Sequence, residues 1–236
     1  MFTSIYHALI ANPLLNLLVG LYDTVAFKDL GIAIVILTVL VRLAFYPLFQ
    51  KGLEQQAKMQ ELQPKIKELQ ARHKGDHAAH SQALMALYKE HSFNPFSSIL
   101  MMLVQIPILI ALYHLFLGIF SPEILGRLYP FVPNPGVLDQ VSLGFLDLTQ
   151  PYFAIVVVTA VLQFFQARMS LSNVTMTDPA QRMTSRIIVF VAPVITLVIF
   201  ASLPAAVTVY WLVSSLLSVA QQALVTRRRS HDKALA

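Results

Sequence analysis

The sequence predicts an all-α polytopic membrane protein, and three observations carry that prediction. Hydrophobic residues make up 56% of the 236 and charged ones only 12%, about half the charged share of a soluble domain, and mean hydropathy is +0.65. Five apolar stretches approach the roughly 20 residues that a helix needs to cross a bilayer: 31–49, 97–120, 152–169, 187–202 and 205–225. No series of alternating segments of about ten residues is present, as a barrel would require. The chain has no cysteine, which removes disulfides, thiolate nucleophiles, Cys-based metal sites and lipid attachment through Cys.

Residues 1–30 lack the basic n-region and small-residue cleavage site of a signal peptide and are expected to be retained. Leu14, Leu15, Leu17, Leu18, Leu21 and Tyr22 form an apolar stripe with Asn16, Asp23 and Thr24 off it. That run is too short and interrupted to span, so it reads as an interfacial helix on the outer leaflet. The first span, GIAIVILTVLVRLAFYPLF, is apolar all round except at Arg42. Residues 50–93 form the one sizeable polar region. Leu62, Ile66 and Leu69 recur at i, i+4, i+7, Glu54–Lys58 and Glu61–Lys65 decorate other faces, and Leu84, Leu87 and Tyr88 follow Gly75. This pattern predicts a cytoplasmic helical hairpin, with Pro64 a candidate kink.

The second and fourth spans are nearly pure hydrocarbon, bent at Pro107 and Pro193. Residues 121–150, with Pro122, Pro130, Pro133 and Pro135, predict an irregular outer loop. Only Ser202, Leu203 and Pro204 separate the fourth and fifth spans, which predicts a tight helical hairpin, and residues 226–236 form a basic tail. Fourteen Lys and Arg fall on one side of this arrangement, in 50–93, in the segment between spans three and four, and in the tail. Lys28 and Arg127 alone fall on the other. The positive-inside rule therefore places the C-terminus in the cytoplasm, and an odd number of spans places the N-terminus outside.

Arg42 is the only acidic or basic residue well inside any span, about 10 Å from its cytoplasmic end. Insertion scales put an arginine at mid-membrane at about 2.5–3.5 kcal/mol, and no span supplies an acidic partner. It can snorkel to the inner interface past Phe45, Tyr46 and Phe49, cap the carbonyls of a helix broken near Pro47, or sit in a water-filled cavity of the bundle. The neighbouring spans favour the cavity. Thr38 lies one turn before Arg42, and span two carries Gln105. Span three offers Thr159, Gln163 and Gln166; span five offers Tyr210, Ser214, Ser218 and Gln221, with Trp211 beside them. Each set lies on one helical face. Taken singly, such residues more often join helices than line a cavity.

Signals for bond-making chemistry are weak. His73, His77 and His80 have helical spacing for a metal, but Gly75 and Asp76 interrupt them. His114 reads as hydrogen-bonded within the bundle. No GxSxG, HExxH, Walker A or GxGxxG is present. No metal, no cofactor and no DNA partner are expected.

With those residues in view, the chain resembles the core of the YidC/Oxa/Alb family of membrane protein insertases from about residue 12 to 226. The most specific stretch is TVLVRLAFYPLFQKGLEQQAKMQELQPKIKELQ, in which Arg42 and Thr38 fall on the family's groove arginine and threonine. MALYKEHSFNPF, LVQIPILIALYHLF, TDPAQRM and VTVYWLVSSLLSVAQQAL add to it. The resemblance implies a five-helix core with a polar groove open to cytoplasm and lipid, acting on nascent membrane proteins in a bacterial plasma membrane. It further implies a slide for apolar client segments, here Met101, Met102 and Ile106 on span two and Ile188, Phe190 and Val194 on span four. The Sec translocon and the ribosome are the further partners it admits. Ala205 and Ala206 replace the family's usual small Ser–Gly pair, and the family's outer domain and lipoprotein cysteine have no counterpart in these residues. Two other classes remain open: an anion channel or carrier using Arg42 as its solute site, and a structural subunit of a translocon.

Overall fold

The computed structural model describes residues 2–171 and 179–235. Helix α1 (Phe2–Tyr6), a π turn (His7–Ala11) and α2 (Asn12–Thr24) run on as one rod. Pro13 has no N–H to give the carbonyl four residues back. The π turn absorbs the defect, with Asn12 N–H bonding to the His7 carbonyl. The run is thus uninterrupted, against expectation, and Ser4–Thr24 is long and apolar enough to cross a membrane. Its inner stripe also differs. Leu17 is exposed, while Asn16 is buried, its Oδ1 accepting from the Tyr129 N–H at 2.6 Å.

Asp29 caps α3 (Leu30–Ala44) by accepting from the Ile32 N–H at 2.9 Å. The helix expected over 31–49 stops at Ala44, and α4 (Tyr46–Arg72) leaves it at a bend of 70°. The cause is local: Pro47 offers no N–H to the Leu43 carbonyl, and Phe45 takes a bridge conformation at φ −97°, ψ 12°. Helix α4 turns at Gly75 (φ 94°) into α5 (His77–Glu90), capped by Asp76. Leu62, Leu87 and Phe93 join the two as the expected hairpin. The first turns of α4 belong instead to the bundle, where Leu53 and Ala57 pack with Val225.

Helix α6 (Phe96–Gly118) leads through α7 (Pro122–Leu125) into a segment that carries a strand pair where an irregular loop was expected over 121–150. Strands β1 (Val141–Ser142) and β2 (Leu146–Asp147) pair antiparallel, Val141 opposite Asp147. The Asp29 carboxylate accepts from Ser142 Oγ and from the Leu143 N–H, both at 2.6 Å. Gly31 permits this approach, because a Cβ there would strike the Ser142 side chain.

Helices α8 (Phe153–Leu171), α9 (Pro179–Phe200) and α10 (Ala205–Leu235) complete the molecule. The fourth and fifth spans do not form the expected hairpin: among the described residues α9 packs along α8, and α10 along α8 and α3. The small residues at the start of α10 have a reason. Ala205 and Ala206 are fully buried, and their N–H groups bond to the Gln150 and Leu148 carbonyls at 2.8 and 3.1 Å. By length and composition, three helices among the described residues are able to span, four if the bent α3–α4 pair is counted. The described apolar parts of α6 and α9 are Leu103–Gly118 and Val189–Phe200.

Candidate functional site

Arg42 lies in the last turn of α3, beside α10. Its Nη2 donates to the Ser214 carbonyl and to Ser218 Oγ, each at 2.8 Å. The guanidinium lies 4.2 Å over the Phe49 ring, a cation–π contact made possible by the bend at Phe45. Its Nε is buried without a hydrogen-bond partner, and no ion pair to Arg42 occurs among the described residues. Of the carbonyl acceptors anticipated for it, the one used belongs to an unbroken neighbouring helix rather than to its own broken one.

A cavity of about 660 Å³ opens in front of this group. Of the residues expected at such a site, Arg42, Gln105, Gln163, Gln166, Trp211, Ser214 and Ser218 line it, together with Met101 and Ile106 from the expected slide. The others lie outside it. Thr38 and Thr159 are buried, their hydroxyls donating one turn back to the Ile34 and Ile155 carbonyls at 2.6 and 2.8 Å. Gln221 is buried off the cavity. Tyr210 is buried behind the wall, where its hydroxyl accepts from Gln105 Nε2 at 2.7 Å.

Gln163 does two jobs. The indole N–H of Trp211 can only donate, which orients the amide: the oxygen accepts from Trp211 Nε1 at 2.9 Å, and the nitrogen lies 2.7 Å from Thr196 Oγ1 and 3.1 Å from the Ala192 carbonyl. One side chain thereby ties α8, α9 and α10 together. Trp211 is further stacked on Phe200, ring centroids 5.0 Å apart.

The cavity also takes residues the sequence did not point to. Phe49, Leu53 and Gln56 reach it from α4, Leu109 from α6 and Ser215 from α10. Pro47 was the available signal for the first three, since a helix broken there can fold back over the bundle. None of the described side chains of α9 lines this wall. Its Phe190 and Val194 line a separate apolar hollow of about 440 Å³ with Ile187, Val191 and Ile195, so the two halves of the expected slide are distinct surfaces. The side chains of Met102 and Ile188, and Thr177 and Asp178 of TDPAQRM, lie outside the described residues. His73 ends α4 whereas His77 and His80 ride on α5.

Comparison with known proteins points one way. A family described as the 60Kd inner membrane protein matches residues 21–233. A Membrane protein insertase YidC of Francisella tularensis subsp. novicida (strain U112) is 39% identical over 205 residues, covering 86% of this chain and 34% of that protein. The protein of the same name from subsp. tularensis (strain SCHU S4 / Schu 4) gives the same figures. The chain thus spans about a third of the length of the curated relatives it matches. A crystal structure described as an active YidC insertase with the first transmembrane domain resolved aligns with 93% of this chain and 45% of its own, at a TM-score of 0.57 and 24% identity. That similarity supports the fold.

Proposed function

Because the chain belongs to the 60Kd inner membrane protein family, whose curated relatives carry the name membrane protein insertase, we propose that it inserts newly made membrane proteins and assists their folding. The observation that carries the reading is the Arg42 guanidinium, lining a cavity with its buried Nε–H unused and no carboxylate mate among the described residues. A cavity of about 660 Å³ is far above the ~15 Å³ that one water needs, so the charge sits in a hydrated groove. An unneutralised cation between low-dielectric walls attracts the acidic residues of a client's N-terminal tail.

In this reading α3, α6, α8, α9 and α10 are the five spans of a single unit, and the α4–α5 hairpin stands in the cytoplasm with the tail. The membrane is the bacterial plasma membrane. Helix α3 has 15 residues and rises only ~22 Å, against a hydrocarbon core of ~30 Å. The polar segment of a client therefore has a shortened path. Its apolar segment leaves past Met101 and Ile106 on α6 and Phe190 and Val194 on α9. Burial in lipid at roughly 25 cal/mol per Å² supplies the driving force without a nucleotide. No bond-making chemistry is assigned, and the Sec translocon and ribosome remain partners of this proposal only.

The test is reconstitution in proteoliposomes with a small client bearing an acidic N-tail. Arg42→Ala and Arg42→Glu lower insertion, about tenfold or more if the pairing is worth ~1.4 kcal/mol, and Arg42→Lys retains more because charge rather than a planar fork is required. Equal yields from Arg42→Glu and the parent at matched protein levels would overturn the mechanism.

A further inference from the structure

The end of α6 away from Arg42 carries a second polar cavity that insertion leaves unused. It measures about 410 Å³ and is lined by Tyr6, His7, His114, Ser121, Glu123 and Arg127 among others. A smaller hollow of about 50 Å³ shares Tyr6, His7, His114 and Arg127 with it. By the orientation derived above, it faces the outer leaflet.

The groups around it are short of partners. The Tyr6 hydroxyl and His7 Nδ1 are buried with no hydrogen bond, a condition that in a folded protein calls for a water, an ion or a ligand. Among the described residues neither Glu123 nor Arg127 forms an ion pair, although they stand four apart around α7. His114, expected to be hydrogen-bonded inside the bundle, is exposed, with its ring 5.7 Å from that of Tyr113. One cavity thus holds a cation, an anion, two imidazoles and a hydroxyl, largely unspent.

An apolar track leads away from it. Leu103, Ile106, Ile110 and Leu117 are 58%, 40%, 44% and 53% exposed, and with His114 they follow one another at spacings of three or four, on one face of α6. From Leu103 to His114 that face rises ~16 Å, about half of the ~30 Å hydrocarbon core. The polar cavity therefore sits one leaflet's depth above the start of the track.

We propose that this cavity seats the headgroup of an outer-leaflet phospholipid bearing a primary amine, with an acyl chain along the exposed face of α6. The guanidinium of Arg127 matches a phosphate in charge and in its paired N–H groups, and the imidazoles and the Tyr6 hydroxyl add donors. Glu123 matches the ammonium. A headgroup with phosphate alone would leave Glu123 facing like charge, and a quaternary amine would bring the charge without N–H donors. The zwitterion satisfies both unpaired ions, and the track on α6 favours a lipid over a soluble molecule of the same headgroup.

Native mass spectrometry on the purified full chain in detergent tests this by binding alone, so its outcome does not depend on insertion activity. Dioleoyl phosphatidylethanolamine binds about fivefold more tightly than the phosphatidylcholine and phosphatidylglycerol of the same chains, the scale of one partly exposed ion pair. Glu123→Gln abolishes the preference for the amine, and Arg127→Ala weakens all three lipids. Soluble O-phosphoethanolamine does not displace the lipid. Equal binding of the three lipids, an unchanged preference in Glu123→Gln, or full displacement by O-phosphoethanolamine would each overturn the proposal. Should Arg127→Ala fail to fold by circular dichroism, the parent and Glu123→Gln decide it.

Discussion

Gln163 shows what one polar side chain inside a span does when several helices share it. Its amide engages Trp211 from α10 and Thr196 from α9. Gln163→Leu takes the partner from the buried Thr196 hydroxyl, at about 1–3 kcal/mol, and from the half-buried Trp211 indole N–H, which the cavity leaves within reach of water. The expected outcome is a lowered thermal midpoint in detergent by circular dichroism, with Trp211→Phe costing less in the Gln163→Leu background than in the parent. A midpoint unchanged by Gln163→Leu would refute the knot. Arg42 was legible in sequence because a charge in an apolar run has no bland neighbours to hide among. Thr38 and Thr159 were not separable from cavity residues, because a hydroxyl satisfied by the carbonyl one turn back looks the same in sequence as one facing water.

At the scale of elements, the junctions matter more than the helices. The break at Phe45 brings Phe49, Leu53 and Gln56 of α4 to the cavity, and hydropathy runs straight through it because Tyr46, Leu48 and Phe49 are as apolar as the span before them. At the other end of α3, the Asp29 carboxylate holds the helix cap and the β1–β2 turn at once. Partial burial raises its pKa, but the hydrogen bonds from Ser142, Leu143, Ile32 and Gly31 outweigh that, and the carboxyl titrates below the ordinary 3.8. A pKa lowered by folding stabilises the folded state above the unfolded value and ceases to do so as pH falls through the lowered one. The protection factors of the amides in residues 141–147, their exchange relative to the intrinsic rate at each pH, are therefore expected to hold at pH 5 and above and to fall only below the ordinary carboxylate range. Asp29→Asn removes that dependence. Protection already lost at pH 6 would show that the carboxylate is not the anchor.

For the whole molecule, the basic residues and the bundle have to agree on one orientation. The chain contains no cysteine, so single cysteines report position without a background. Val137→Cys and Phe131→Cys, both exposed between α7 and β1, are expected under the proposed orientation to react with an impermeant maleimide from outside. Met85→Cys, exposed on α5, is expected to react only after permeabilisation, and Ser218→Cys beside Arg42 to react from the cytoplasmic side. Labelling of Met85→Cys in intact cells would invert the topology. A Ser218→Cys variant inert from both sides would make the cavity dry.

The sequence by itself determined the class and the α4–α5 helix pair and singled out Arg42, because hydropathy, charge asymmetry and a lone arginine are properties of composition and order. The tertiary structure alone decided what surrounds that arginine. Which helix face meets which depends on side-chain fit across elements far apart in the chain. So among the described residues α8 rather than α10 packs along α9, the root of the α4–α5 hairpin joins the cavity, and the Thr38 and Thr159 hydroxyls are spent on carbonyls of their own helices.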